Sequence, residues 1–151
     1  LERLKKAIDK EDVKVVQCKA VEELVQNSDI ICTTTPSTTP VLPDDKELLR
    51  GKCIIAIGSY MPQMREIPDA VLELVDNGYV ELPYACEESG DLSQPLANGK
   101  LTKDRIKLMH EYLASDEQEI KEGQTTYFKS VGMGLFDVCI AQKLYEIAKE
   151  K

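Results

Sequence analysis

Two clusters of small and hydroxyl residues close apolar runs, and they are where this sequence could do chemistry. The first is Thr34, Thr35, Pro36 and Ser37, ending the run that starts at Asp29; the second is Gly58, Ser59 and Tyr60, ending the run that starts at Cys53. Short β-branched runs joined by about a dozen helix-like residues form a βαβ unit, the building block of parallel sheets buried on both faces. Ligands of open α/β sheets bind at the carboxyl ends of such strands, where both clusters fall. Other chemistries are poorly supplied. A single histidine, His110, in a surface-helix context, leaves little for a Ser/His/Asp or Cys/His pair. Cys18, Cys32, Cys53, Cys86 and Cys139 have no CxxC spacing, so no metal site is expected.

The 151 residues suffice for one domain with a real core. A net charge of -8, with lysines scattered, argues against nucleic acid and against an anionic membrane surface. No apolar run approaches the roughly 20 residues of a membrane helix. An odd number of cysteines, expected mostly buried, fits a reducing, cytoplasmic setting.

The elements that must position these clusters follow from periodicity. Residues 1–10 read as the tail of a helix whose beginning is absent, and the chain is expected to start inside a larger fold. Strands are expected at 13–18, 30–34, 53–57, 79–82 and 125–130, and helices at 20–26, 44–49 and 69–75. Residues 87–99 read as polar loop with at most a short helix near Glu87, and 102–114 as one helix. The longest helix is expected over 132–149. Its first half is apolar nearly all round and is expected to be buried against something.

A dinucleotide fingerprint would be strand, G-x-G-x-x-G, helix. The nearest match, Gly132-Met-Gly134-Leu-Phe-Asp137, puts a carboxylate at the third glycine, where it would repel a pyrophosphate. The two glycines read instead as a tight turn with close helix packing. The expected fold class is therefore α/β: an incomplete Rossmann-like domain, parallel sheet with flanking helices, plus a long C-terminal helix, lacking the first Gly-rich βαβ.

Four segments in order carry a resemblance. They are Ser28 through Thr35-Pro-Ser37 to Leu42; Ala56-Ile-Gly58-Ser-Tyr60-Met-Pro62 with Glu66; Glu88-Ser-Gly-Asp91; and Phe128-Lys-Ser130-Val-Gly-Met133. Together they resemble the ornithine cyclodeaminase/mu-crystallin family. The resemblance implies that residues 1–131 are the distal part of an NAD(P)-binding Rossmann-like domain. It implies that 132–151 form a helix returning to a missing N-terminal domain, in a protein that is a homodimer at full length. It further implies NAD or NADP as cofactor, in a site incomplete in this chain, and a small imino or amino acid as partner. The implied reaction is ketimine reduction by hydride transfer, with ornithine cyclodeamination as an alternative. A truncated or degenerate chain serving as a non-enzymatic binding or assembly partner is a further alternative.

By position, Thr34, Thr35, Pro36 and Ser37 resemble the loop along the cofactor. Ile57 and Gly58 resemble residues beside the nicotinamide, and Ser130 one near its carboxamide end. Small residues there let a flat ring and its ribose approach the backbone, and free N–H groups after Ser130 could meet a carboxamide or carboxylate. On residue types alone, Ser130 can equally be a helix N-cap and the threonines plain strand formers. Tyr60 stands where true ornithine cyclodeaminases carry an acid/base aspartate. A phenol with a pKa of about 10 is a poor substitute near neutral pH, which favours the reductase reading. Tyr60, Met61 and Glu87 are the candidates nearest substrate, with Glu87 or Glu88 alternatively a solvated acidic pair.

Overall fold

The computed structural model describes residues 3, 8, 13–115 and 121–149. Five parallel strands form one sheet: β1 (Ile30–Thr33), β2 (Cys53–Ala56), β3 (Gly78–Val80), β4 (Ile106–Leu108) and β5 (Thr126–Lys129). Their spatial order is β1-β2-β5-β3-β4, so the last strand is inserted at the centre and β1 lies at an edge. Register aligns Thr33 with Ala56, Ala56 with Lys129, Lys129 with Val80, and Val80 with Leu108. All five strands therefore end in one row.

Helices α1 (Val21–Gln26), α2 (Lys46–Leu49) and α3 (Asp69–Leu74) follow the expected pattern. Asp45 caps α2 by accepting from Glu47 N at 2.9 Å, and Asp44 accepts from Ala70 N at the start of α3 at 2.8 Å. Arg105 closes the other end of α3, donating to the carbonyls of Leu72, Val75 and Asp76. Period-2 alternation puts Ile31, Ile54, Val80 and Tyr127 on the helix-covered face, against Val25, Leu49, Val71, Leu72 and Leu92.

Four expectations are corrected. Residues 13–18 form no strand; Val13 and Val16 are exposed, and without a neighbouring strand a β-prone run has nothing to pair with. The stretch expected as loop holds α4 (Ala85–Glu88) and α5 (Gly90–Ala97). Ser89 starts α5 by accepting from Asp91 N, a cap signal hidden within a polar run. The expected helix over 102–114 is a 3-10 turn, then β4, then α6 (Met109–Ala114). Pairing with β3 overrides helical propensity there. The cysteines are not mostly buried: Cys32 and Cys139 are exposed, the other three half-buried. The expected helical tail at 1–10 lies almost wholly outside the described residues.

The opposite sheet face is open. Ile30 and Cys32 are exposed, and Cys53, Ile55 and Phe128 are half-buried. α6 covers part of this face, with Tyr112 against Tyr79 at 4.8 Å between ring centres. The terminal helix α7 (Gly134–Lys149) has no buried residue among those described, so its expected burial is not met within this chain. No helix among the described residues is long and apolar enough to cross a membrane.

Candidate functional site

Because the strands end in one row, the segments after them open along one edge. Thr34–Ser37 follows β1, Ile57 and Gly58 follow β2, Glu81 follows β3, and Ser130 follows β5. The alignment alone would leave these turns as loose loops. Two buried carboxylates hold them.

Glu66, fully buried, lies beneath the first two turns. Its Oε1 accepts from Thr35 N at 2.5 Å and Thr35 Oγ1 at 2.8 Å. Its Oε2 accepts from Thr33 Oγ1 at 2.9 Å, Gly58 N at 2.8 Å and Ser59 N at 3.2 Å. Both oxygens accept backbone N–H bonds, so the side chain fastens two strand ends together. Gly58 is required by the same contact: a Cβ there would lie 2.2 Å from Thr35 N and 2.3 Å from Thr35 O. Backbone bonds extend the clasp, Arg65 N to Ser37 O at 2.8 Å and Val41 N to Glu66 O at 2.8 Å.

Glu81 does the same for the turn after β5. Its Oε1 accepts from Ser130 Oγ at 2.9 Å, Val131 N at 2.5 Å and Gly132 N at 2.8 Å. The N–H groups after Ser130 are thus taken by the protein itself, which corrects the expectation that they stand free for a ligand. Ser130 is no helix cap either, since α7 starts four residues later at Gly134.

Asp91 links the two clasps. Its Oδ1 accepts from Glu66 N at 2.6 Å and Ile67 N at 2.9 Å, and its Oδ2 lies 3.4 Å from Lys129 Nζ on β5. Both side chains are fully buried. Burial lowers the Lys129 pKa from its ordinary value, opposed by Asp91 and, more weakly, by Glu66 and Glu81. Tyr127, two residues earlier on the same face, is pushed well above the usual phenol range by burial, with nearby Asp91 and Glu66 adding to it. Ser59 and Ser89 hydroxyls meet at 2.8 Å and join the loop after β2 to the start of α5.

The sequence candidates separate into two groups. Thr34, Pro36 and Ile57 are exposed on the edge, Thr35, Ser37 and Gly58 are half-buried in it, and Ser130 is 8% exposed. Tyr60 and Met61 stand out on the loop after β2, 47% and 40% exposed. Glu87 lies elsewhere: with Val80, Cys86, Ser93, Lys103 and Glu111 it lines a cavity of about 620 Å³ beside β3 and β4. Burial raises the Cys86 thiol pKa there, so it is a poor nucleophile. No cluster of metal-ligating side chains occurs among the described residues.

Sequence reasoning assigned no role to Glu81, and gave Glu66, Asp91 and Lys129 only a place in motifs. A signal existed: Lys129 interrupts Tyr127-Phe-Lys-Ser130 and Glu81 follows Tyr79-Val80, so both put a charge at the end of an apolar strand. A charge at such a position must be partnered.

A parallel sheet wound with helices and opening at its carboxyl edge defines a Rossmann-like nucleotide-binding architecture. The comparison with known proteins is specific: residues 1–151 match the ornithine cyclodeaminase/mu-crystallin family, and the chain belongs to it. A Δ1-pyrroline-2-carboxylate reductase of Bacillus cereus is 35% identical over 135 residues, covering 87% of this chain and 41% of the relative. The ketimine reductase mu-crystallin of Rattus norvegicus is 31% identical over 135 residues, covering 89% and 40%. The solved Δ1-pyrroline-2-carboxylate reductase of Thermococcus litoralis, in complex with NADH and L-proline, superposes with a TM-score of 0.76. It is 25% identical, over 88% of this chain and 42% of that one. The chain spans about two fifths of the length of these relatives.

Proposed function

We propose that this chain is the part of an NAD(P)-dependent imino-acid reductase that presents the nicotinamide end of the cofactor to a C=N bond. The bound cofactor supplies a hydride to the imine carbon, and the nitrogen takes up a proton. Thr34, Thr35, Pro36 and Ser37 run along the cofactor, Ile57 and Gly58 lie beside the ring, and Ser130 sits near its carboxamide. The observation carrying this reading is the aligned row of strand ends, with three turns fastened to one edge by Glu66 and Glu81. Hydride transfer is steep in distance and angle, so rigid turns are what the protein must contribute.

The residues fit the ring end of such a cofactor and not its pyrophosphate. Exposed Ile57 beside Gly58 offers a small apolar surface for a flat ring. The backbone N–H groups of Thr35, Gly58, Ser59, Val131 and Gly132, which could have cradled a phosphate, are spent on Glu66 and Glu81. The pyrophosphate is held elsewhere in this reading, which accords with a chain that spans about two fifths of its relatives' length. The open sheet face and uncovered α7 are surfaces for a further domain or for a second copy. The substrate is a cyclic or linear ketimine acid, because the similar reductases carry such names. Ornithine cyclodeamination has less support, since the exposed Tyr60 supplies a phenol where that chemistry uses a carboxylate.

The test is reduction of Δ1-pyrroline-2-carboxylate with NADH or NADPH by the longest polypeptide containing this chain, followed by loss of reduced-nicotinamide absorbance. Turnover with either cofactor is expected. No turnover with either, and none with a linear ketimine acid, overturns the reading.

A further inference from the structure

The carboxyl edge of a parallel sheet is ordinarily electropositive, because free N–H groups gather there and attract anions. This edge is the reverse. The five backbone N–H groups just named, and the Thr33, Thr35 and Ser130 hydroxyls, all donate inward to Glu66 or Glu81. Beneath the edge lie three buried acidic side chains, Glu66, Glu81 and Asp91, against one buried lysine, Lys129. The acidic side chains there outnumber the basic one three to one. Arg65, next to Glu66 in the chain, is engaged with Asp69 at 2.5 Å. The positive end of α7 is met by Asp137 in its first turn.

From this geometry we infer that the edge selects a delocalised organic cation. It binds the oxidised, pyridinium form of the nicotinamide ring in preference to the neutral reduced form. The inference rests on the nicotinamide reading above and deepens it. Buried charges act through a medium of low dielectric and are little screened by salt, so their effect on a ring lying on the edge persists at physiological ionic strength. The same field resists a phosphate lying against this end, which places the cofactor's pyrophosphate elsewhere.

Glu81 allows a clean perturbation. All three of its hydrogen bonds fall on Oε1, while Oε2 has no partner among the described residues. In Glu81→Gln the amide oxygen can keep those three bonds and the amide nitrogen take the vacant position, removing charge with little change of shape. Lys129→Met shifts the charge the other way. Dissociation constants for NAD+ and NADH are measured by calorimetry on the longest polypeptide containing the chain. Glu81→Gln is expected to weaken NAD+ relative to NADH about fivefold, the Coulomb effect of one unit charge on the order of 10 Å away at an effective dielectric of ~30. Lys129→Met is expected to leave the ratio in place or move it in the opposite direction, whereas simple loss of structure would move both variants alike.

On the unsubstituted chain, amide shifts at Ile57 and Gly58 are expected to respond to the 1-methylnicotinamide cation at several-fold lower concentration than to neutral nicotinamide. Binding of both NAD+ and NADH with ratios unmoved by either variant, or equal response to the two small probes, overturns the inference and leaves the cofactor reading standing. Absence of any binding overturns both.

Discussion

Replacing Glu66 by alanine is the sharpest perturbation of the strand-end turns. Three backbone N–H groups, of Thr35, Gly58 and Ser59, and two threonine hydroxyls lose their acceptor at once. The hydroxyls can rotate to other partners and Gly58 N keeps its bond to the Thr33 carbonyl at 3.2 Å, but the Thr35 and Ser59 amides have no second acceptor among the described residues. Each buried donor left unmade costs about 1–3 kcal/mol, and water entering the vacated space recovers part of it, so a net loss of about 4 kcal/mol is expected. For a domain worth roughly 5–15 kcal/mol this is a large fraction. With a urea dependence of about 2 kcal/mol per molar, the unfolding midpoint should fall by about 2 M. Glu66→Gln should still lose about 2–3 kcal/mol, because whichever way the amide is turned its NH2 faces a backbone donor. The control is Glu47→Ala, at an exposed side chain paired with the exposed Arg50, expected to shift stability by less than about 0.5 kcal/mol. A Glu66→Ala midpoint within about 0.5 M of that control would refute the idea that this carboxylate fastens the turns.

Three other expectations follow from the same network. Gly90→Ala puts a Cβ 2.0 Å from Met64 O and 2.5 Å from Pro62 O, both backbone, so thermal unfolding should show a loss of about 3 kcal/mol or more. Tyr127→Phe should be neutral or stabilising by up to about 1 kcal/mol, since its buried hydroxyl has no partner among the described residues; a loss above about 1 kcal/mol by chemical denaturation would mean that the hydroxyl has a partner. Asp69 is held below its ordinary 3.8, first by its hydrogen bond to Lys100 and then by Arg65, with partial burial opposing them. Its contribution is therefore full above the unfolded pKa and lost as pH falls through the lower folded value. Asp69→Asn should remove that acid-side slope from a stability–pH curve, by under about 1 kcal/mol because Lys100 is half exposed and screened.

How much of this was legible in the sequence can be said residue by residue. The strands at Ile30, Cys53 and Thr126 were readable because β-branched runs between turn residues have few alternatives. The family was readable from four ordered motifs. β4 was not, because Ile106–Leu108 becomes a strand only by pairing with β3, a long-range contact that local periodicity does not carry. The run 13–18 failed for the converse reason, local propensity with no neighbour to pair. At the site, the exposed residues Thr34 and Ile57 were legible because position relative to a strand end suffices. The carboxylates beneath them were not, since Glu66 reaches Thr33 across 33 positions and Glu81 reaches Ser130 across 49. A motif names such residues without saying what they hold.

The most direct test of the account is a map of where reduced cofactor touches the chain. Amide spectra of the isotopically labelled protein are recorded during titration with NADH and NADPH. Saturable shifts are expected at Thr34, Thr35, Ile57, Gly58, Val131 and Gly132, the segments that open along the carboxyl edge. Shifts gathered instead around the cavity of Val80, Cys86, Ser93 and Leu108, with those six amides unmoved, would contradict it.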